Sequence, residues 1–221
     1  LGLVNVTRFV SDHEGQTFPS WDARGKVKDN NQSGKLALHH AFSDKHSGFI
    51  SVSRGFKSGG YNGALISSAA EAANNEYGAE TLNAYEIGLH SKLSSNVRLY
   101  SAGFYYDYQD QQIFMNRSAV TPGAPPLQLI TNVGESSIYG LEFGLDAHIT
   151  SQLTSKLSFG YIPKANLDSF VDELGNKVTN NRLPFTSKWN MAAQLDYRTH
   201  LGAFPVHFNL NADYQSEFYF D

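Results

Sequence analysis

Apolar and polar side chains alternate with a period of two residues along most of the chain, and sustained helical periodicity is almost absent. Such alternation is typical of β-strands whose two faces meet different surroundings. It predicts nine strands, at residues 1–9, 35–42, 48–56, 82–93, 97–114, 127–149, 154–166, 184–199 and 205–219. The best helical candidate, residues 67–74, lies inside a polar loop. The sequence therefore predicts an all-β protein.

The connections between these strands alternate in length. Long polar stretches at residues 10–34, 57–81, 115–126 and 167–183 take turns with tight connections at residues 43–47, 94–96, 150–153 and 200–204. Consecutive hairpins would therefore have short turns at one end and long loops at the other. That is the antiparallel up-and-down pattern of outer-membrane barrels. Residues 97–114 and 184–199 also exceed the roughly 9–11 residues that a tilted strand needs to cross a bilayer.

One face of the six clearest strands is entirely apolar or aromatic. Its residues are Tyr85, Ile87, Leu89, Tyr100, Ala102, Phe104, Tyr106, Tyr108, Tyr139, Leu141, Phe143, Leu145, Ala147, Leu157, Phe159, Tyr161, Trp189, Met191, Ala193, Leu195, Tyr197, Val206, Phe208, Leu210, Ala212 and Tyr214. Aromatic residues concentrate at the ends of these stripes, as in the girdles at both interfaces of a membrane barrel. The opposite face carries Gly, Ser, Asn, Asp, Glu and Gln, which suit a water-filled lumen.

A soluble β-sandwich is the alternative interpretation, because its strands also alternate between apolar and polar faces. Such a domain could bind or hydrolyse carbohydrate, with Trp21 and Tyr61 stacking on sugar rings. The polar face has few of the Lys and Thr residues that are common on solvated sheets, and this favours the membrane barrel.

Composition excludes several other classes. A net charge of -4 with no cluster of Lys and Arg argues against a nucleic-acid partner. The absence of cysteine excludes disulfides, thiolate metal sites and a cysteine nucleophile. No apolar run approaches the roughly 18 residues of a membrane helix. These features leave the β architecture as the only membrane-spanning possibility.

No catalytic, metal or cofactor site is predicted. The glycine-rich stretch 53–63, SRGFKSGGYNG, lacks the spacing of a phosphate-binding loop, and no GxSxG or HExxH motif occurs. His39 and His40 are adjacent in a strand, so their rings point to opposite faces. Glu142 and Asp146 could act as a catalytic pair, but hydrated lumen residues are the simpler interpretation. The glycine-rich stretch is interpreted as a strand leaving the membrane, with Arg54 and Lys57 near the interface.

Six stretches together resemble the barrel of a TonB-dependent outer-membrane receptor. They are SVSRGFKSGGYNG (51–63), ETLNAYEIGLHSKL (80–93), VRLYSAGFYYDYQDQQI (97–113), NVGESSIYGLEFGLDAHIT (132–150), LTSKLSFGYIPKANLD (153–168) and LNADYQSEFYFD (210–221). The resemblance implies that residues 1–221 form part of a single barrel domain of about 22 strands. It also implies that the N-terminal plug, the TonB box and the last strands lie outside this chain.

The resemblance further implies a transport receptor rather than an enzyme. Such a receptor binds a scarce solute, foremost a ferric siderophore, at the surface of a Gram-negative cell and imports it with energy from the TonB complex. Its partners would be TonB, outer-membrane lipid and the small-molecule ligand. Ligand contacts are expected in or beside the long loops, at Lys57, Tyr61, Asn62, Gln111, Arg117 and Arg182. A passive outer-membrane channel without a plug is the second alternative.

Overall fold

A computed structural model describes residues 2–11, 17–27, 30–62, 76–117, 127–168, 170–171, 177–178 and 181–220. Side chains are described for residues 30–62, 76–115, 129–168 and 181–220. Within the described residues every regular element is a β-strand, and no helix is long and apolar enough to cross a membrane. The helical candidate at residues 67–74 lies outside the described residues.

Ten long strands and five short ones are present in the described part of the chain. The long strands are β1 (Gly2–Ser11), β2 (Thr17–Val27), β3 (Gly34–Ser43), β4 (His46–Lys57), β7 (Glu80–Lys92), β8 (Val97–Arg117), β9 (Leu127–His148), β10 (Leu153–Leu167), β14 (Trp189–Leu201) and β15 (Phe204–Gln215). The short strands are β5 (Gly60–Tyr61), β6 (Glu76–Tyr77), β11 (Phe170–Val171), β12 (Lys177–Val178) and β13 (Asn181–Arg182).

Most of these strands form one antiparallel up-and-down sheet. Its order is β15-β14-β10-β9-β8-β7-β4-β3, and β13 pairs with the end of β10. The pairs β1–β2, β5–β6 and β11–β12 form small separate sheets. No second large sheet is found among the described residues, so the sandwich alternative does not fit. The predicted fold class is confirmed as part of an unclosed barrel.

The strand prediction is wrong at residues 17–27, 184–188 and 216–219. Residues 17–27 were expected within a long loop but form β2, which pairs with β1 along its whole length. Its sequence, TFPSWDARGKV, has no clean alternation, and the register shifts opposite Pro19, which cannot donate to the ladder. Residues 184–188 were expected to begin a strand but lie outside it: Phe185 has a φ of 56° in the turn before β14.

The tight turns are confirmed at one end of the sheet. In three of them the first residue is Ser or Thr, whose hydroxyl accepts backbone N–H groups two or three residues ahead. These residues are Ser43, Ser94 and Thr150. Gly202 supplies the left-handed conformation, with φ of 61°, in the fourth turn. We call this the turn end of the sheet, and the opposite end the loop end.

The strand register aligns the apolar side chains into one continuous face, which we call the outer face. The row Ile50, Ile87, Gly103 and Leu141 crosses four strands, and Leu157, Ala193 and Ala212 align across three others. No other layer covers this face in the described chain, since Leu38 is 64%, Ile87 62% and Leu210 64% exposed. A face this apolar and this exposed suits lipid rather than water.

The predicted faces of β8 are the wrong way round. Phe104 pairs with Glu86 and Gly140, so it lies on the polar inner face together with Tyr100, Ala102, Tyr106 and Tyr108. The outer face of β8 instead carries Val97, Leu99, Ser101, Gly103 and Tyr105. Three consecutive aromatic residues at 104–106 make the alternation in this strand ambiguous. Pairing with β7 and β9 decides the orientation.

Aromatic side chains on the inner face lie against glycines of the neighbouring strand. Tyr100 covers Gly144, and Phe104 covers Gly140, where a methyl group would collide with the ring. Phe49 covers Gly88 in the same way. Because glycine has no side chain, the aromatic ring can lie flat over it along the sheet. Such cross-strand pairs cover the backbone that glycine leaves exposed. This accounts for aromatic residues on an otherwise polar face.

Candidate functional site

A long hairpin rises from the sheet at the loop end. β8 and β9 remain paired from Val97 and Ala147 up to Arg117 and Leu127. The outer face changes from apolar to polar just beyond three aligned tyrosines, Tyr85, Tyr105 and Tyr139. The twelve residues of β8 beyond Tyr105 extend the hairpin by about 40 Å at 3.3 Å per residue. This extension is the scaffold on which the loops of this end are built.

The connection between β4 and β7 is held on this hairpin by two amide side chains. Asn132 accepts the N–H of Gly78 at 2.6 Å and donates to the carbonyl oxygens of Gly78, at 3.0 Å, and Asp110, at 2.7 Å. Gln112 is its cross-strand neighbour. The buried Gln112 amide donates to the carbonyls of Ser58 and Gly78, each at 3.0 Å. We call Gln112 and Asn132 the amide clamp.

Asn62 holds the same connection nearer the tip of the hairpin. Its side chain donates to the carbonyl of Ile130 at 2.8 Å and accepts the N–H of that residue at 2.7 Å. The Tyr61 hydroxyl donates to Glu76 across the β5–β6 pair at 3.3 Å. The loop is therefore fixed by specific hydrogen bonds at both of its described ends.

A small apolar cluster supports the hairpin and the next loop. Val133, Ala165, Leu167 and Leu183 are its buried members. Ile113, Ile138 and Ile162 pack against them. The cluster joins β8, β9 and β10 to the segment before β14, so it gives the loop end a packed base. Rigid support of this kind is what positions binding loops.

The predicted ligand residues occupy different situations. Arg182 donates to the carbonyls of Thr186, at 2.8 Å, and Ile162, at 2.9 Å. Gln111 accepts the hydroxyl of the fully buried Ser136 at 2.5 Å. Lys57 is exposed at the end of β4, opposite Glu80. Arg117 ends β8, and its side chain lies outside the described set. The structure thus gathers these residues at the loop end. The side chains of four of them hydrogen-bond to other parts of the chain: Tyr61, Asn62, Gln111 and Arg182.

Replacing Arg182 by Lys is expected to loosen residues 181–188. Lysine cannot make the two directed bonds to Thr186 and Ile162, so the segment should lose about 1–2 kcal/mol of local stability. Hydrogen exchange of these amides in the full-length protein should be roughly tenfold faster. Exchange at the wild-type rate would mean that the guanidinium is available for another role.

The inner face below the hairpin is lined by a polar network. Glu86 accepts the hydroxyls of Tyr106, at 2.9 Å, and Ser51, at 3.0 Å, and the ammonium of Lys35 lies 3.8 Å from it. Further along the sheet, Asp196 binds Arg198 and His207. These side chains make the inner face polar along the sheet.

The outer face immediately beyond the tyrosine row is also polar. Arg54 donates to Asn83 at 3.2 Å, and Asn83 donates to Asp107 at 3.5 Å. On the inner face of β8, burial and then the charge of Glu80 raise the pKa of Tyr108 above its ordinary value, so its hydroxyl stays protonated. The outer face changes from Tyr85 to Arg54 and Asn83 within two residues, which is the pattern expected where a barrel leaves the apolar part of a membrane.

Sequence reasoning missed the amide clamp and Glu86. An isolated Gln or Asn in a strand carries no signal of its own, and the bonds of the clamp join residues more than twenty positions apart. The described residues contain no group of three or more His, Asp or Glu side chains that could hold a metal ion.

Long paired strands, an exposed apolar outer face with an aromatic boundary, a polar inner face and loops gathered at one end define part of an outer-membrane-type β-barrel. The chain belongs to the family of TonB dependent receptor-like β-barrels, whose family model matches residues 4–221. Members of this family are outer-membrane transport receptors and not enzymes.

Solved structures of such receptors have the same fold. The ferric yersiniabactin uptake receptor FyuA from Yersinia pestis matches with a TM-score of 0.70 and 20% identity, over 94% of this chain and 29% of that one. The siderophore receptor PiuA from Acinetobacter baumannii matches with a TM-score of 0.53 and 15% identity, over 85% of this chain and 26% of that one. The alcaligin receptor FauA from Bordetella pertussis has a TM-score of 0.52 and 16% identity, over 91% of this chain and 32% of that one. No curated protein sequence matches.

Proposed function

We propose that residues 1–221 are part of a single barrel domain in a receptor that imports a ferric siderophore across the outer membrane of a Gram-negative cell. The chain spans less than a third of FyuA, PiuA and FauA. Its plug and its TonB contact would therefore lie in the rest of the protein. In this proposal the ligand binds at the loop end and enters the periplasm with energy from TonB.

The observation that carries the proposal is the hairpin extension with its clamped loop. A simple pore needs strands only long enough to cross the bilayer, which is about 9–11 residues. Here β8 and β9 have 21 and 22 residues, and the amide clamp fixes the β4–β7 connection against them. A preorganised surface of this kind lowers the entropy cost of holding a ligand.

Among the six predicted ligand residues, Lys57 and Tyr61 are the strongest candidates for direct contact. Lys57 presents an exposed cation, and Tyr61 a half-buried aromatic ring, on the clamped connection. Arg117 is also proposed as a contact, from its position at the tip of β8. Asn62, Gln111 and Arg182 are proposed to act by holding the surface in shape, because their side chains bind backbone or a buried hydroxyl.

Uptake of siderophore-bound radioactive iron tests the proposal in cells that carry the full-length gene. Under iron limitation, uptake of one ferric siderophore from a panel of catecholate, phenolate and hydroxamate chemistry should require this gene. The same uptake should vanish in a strain without TonB. Uptake that persists without TonB would instead support the passive channel. If uptake of no ferric siderophore depends on the gene, the proposed substrate class is contradicted.

A further inference from the structure

The outer face has a groove between β3 and β9. Three small residues, Gly48, Ser101 and Gly103, lie in rows where the neighbouring strands carry large apolar side chains. The resulting hollow has a volume of about 530 Å³, and its apolar walls include Leu38, Ile50, Ile87, Leu141 and Phe143. A methyl group at Gly103 would meet Leu141 at 3.4 Å and Ile87 at 3.7 Å, so the hollow has room for added atoms.

Polar residues lie one row beyond this groove toward the turn end, on the same outer face. His46 hydrogen-bonds to Ser91 at 3.1 Å, and the two residues pair across β4 and β7. Leu99, Leu145 and Leu157 occupy the same row in the next three strands. His40 lines the groove itself, and Lys45 is exposed in the turn beside His46.

From this combination we infer that the groove holds one anionic phospholipid of the periplasmic leaflet. An acyl chain would fill the apolar hollow, and the phosphate would lie by His46 and Lys45. Asp44, in the same turn, is exposed. The inference rests on the outer-membrane placement in the proposed function but not on the transported solute.

Charge and position favour this occupant over a protein. The groove lies next to the row of His46 and Ser91, so a lipid tail in the hollow can belong to a molecule whose head group is at the turn. The exposed side chains of His40, His46 and Lys45 can donate hydrogen bonds to a phosphate, whereas Ser91 is buried and orients His46. A peptide segment at this depth would need partners for its own backbone groups. The apolar walls of the hollow offer none.

Native mass spectrometry of the full-length protein, exchanged into mild detergent with added phosphatidylglycerol, tests the inference. The wild-type protein should retain one phosphatidylglycerol. Ser101→Leu and Gly103→Leu fill the hollow and should lower retention about tenfold or more, since the tail loses buried methylene contacts. Ala193→Leu, on the same outer face but outside the groove, should retain lipid normally.

Lys45→Ala combined with His46→Ala tests the head-group end. This variant should lose its preference for phosphatidylglycerol over phosphatidylethanolamine while it still binds a tail. Retention of no phospholipid by the wild-type protein, equal retention by Ser101→Leu, or a second copy of the chain bound in place of lipid would each overturn the inference. If both leucine variants fail to assemble, the measurements on the wild-type protein and on the Lys45→Ala, His46→Ala variant still test the inference.

The outcome can be separated from that of the proposed function. Ser101→Leu leaves the loop end intact, so iron uptake by this variant should equal wild-type uptake. Loss of lipid with normal uptake therefore supports the groove independently. A protein that retains lipid but imports no ferric siderophore would refute the proposed substrate alone.

Discussion

Replacing Gly140 by alanine is expected to destabilise the barrel by about 1–3 kcal/mol, the usual penalty for forcing atoms into a packed site. The added methyl group would lie 2.6 Å from the carbonyl oxygen of Tyr161 and 2.7 Å from the ring of Phe104. The carbonyl belongs to the backbone of β10, directly before its register shift between Tyr161 and Lys164. Neither strand can move away without breaking ladder hydrogen bonds. Urea unfolding of the full-length protein in detergent measures the loss.

Gly160→Ala is the matched control for this substitution. Gly160 also lies on the inner face, opposite Glu142 and Asn190, but the nearest atom to an added methyl group is Asn190 Cβ at 3.8 Å. That is an ordinary van der Waals contact, so the control should unfold at nearly the wild-type urea concentration. If the two alanine variants unfold alike, the close approach at Gly140 is not a constraint on the sheet.

Gly144 gives an instructive contrast with Gly140. The three atoms nearest to an added methyl group at Gly144 all belong to the side chain of Tyr100, and a ring can rotate away where a backbone carbonyl cannot. Gly144→Ala should therefore cost less than Gly140→Ala. The ranking of these two glycines depends on which neighbour each one meets, and the sequence does not contain that information.

The β-architecture of this chain follows from its sequence, because a two-residue period and alternating connection lengths are local properties. The tight turns are also local, since Ser43, Ser94 and Thr150 bond to N–H groups only two or three residues away. Both could be predicted before any pairing was known. The resemblance to receptor barrels then predicted that these strands belong to a barrel with more strands than this chain contains.

The orientation of β8 could not be predicted in this way. Tyr105 has an aromatic neighbour on either side, so both faces of the strand look apolar near its middle. Only the partners Tyr85 and Tyr139 assign Tyr105 to the outer face, and they come from different strands. A one-residue change of register reverses every side chain, so a prediction for one strand needs its neighbours.

The site was predicted at the level of loops but not of individual contacts. The expectation that Lys57, Tyr61, Asn62, Gln111, Arg117 and Arg182 belong to one end of the barrel is consistent with their positions, while their roles in ligand binding stay predictions. Sequence patterns cannot distinguish an amide that contacts a ligand from one that binds backbone. That distinction depends on long-range geometry, as it does for Asn62 and Ile130.

Asn132→Leu is expected to release the β4–β7 connection from the hairpin. Leucine is close to asparagine in size but removes the bonds to the N–H and carbonyl of Gly78 and to the carbonyl of Asp110. With net contributions of about 0.5–1.5 kcal/mol each, their loss should total about 2–4 kcal/mol. Amides at residues 58–62 and 76–79 should then exchange about 30-fold faster or more in the full-length protein. The affinity for the ferric siderophore should fall as well, because the ligand would have to order the loop on binding.

Asn83→Leu provides the control, since Asn83 also bridges neighbouring strands but bonds to Arg54 and Asp107 rather than to the loop. It should leave exchange at residues 58–62 and 76–79 unchanged. Faster exchange with unchanged affinity in Asn132→Leu would separate the clamped loop from ligand binding and place the binding surface on another loop. Unchanged exchange would show that Asn62 and Gln112 hold the connection without Asn132, and the clamp would then reduce to Gln112, whose amide alone reaches Ser58.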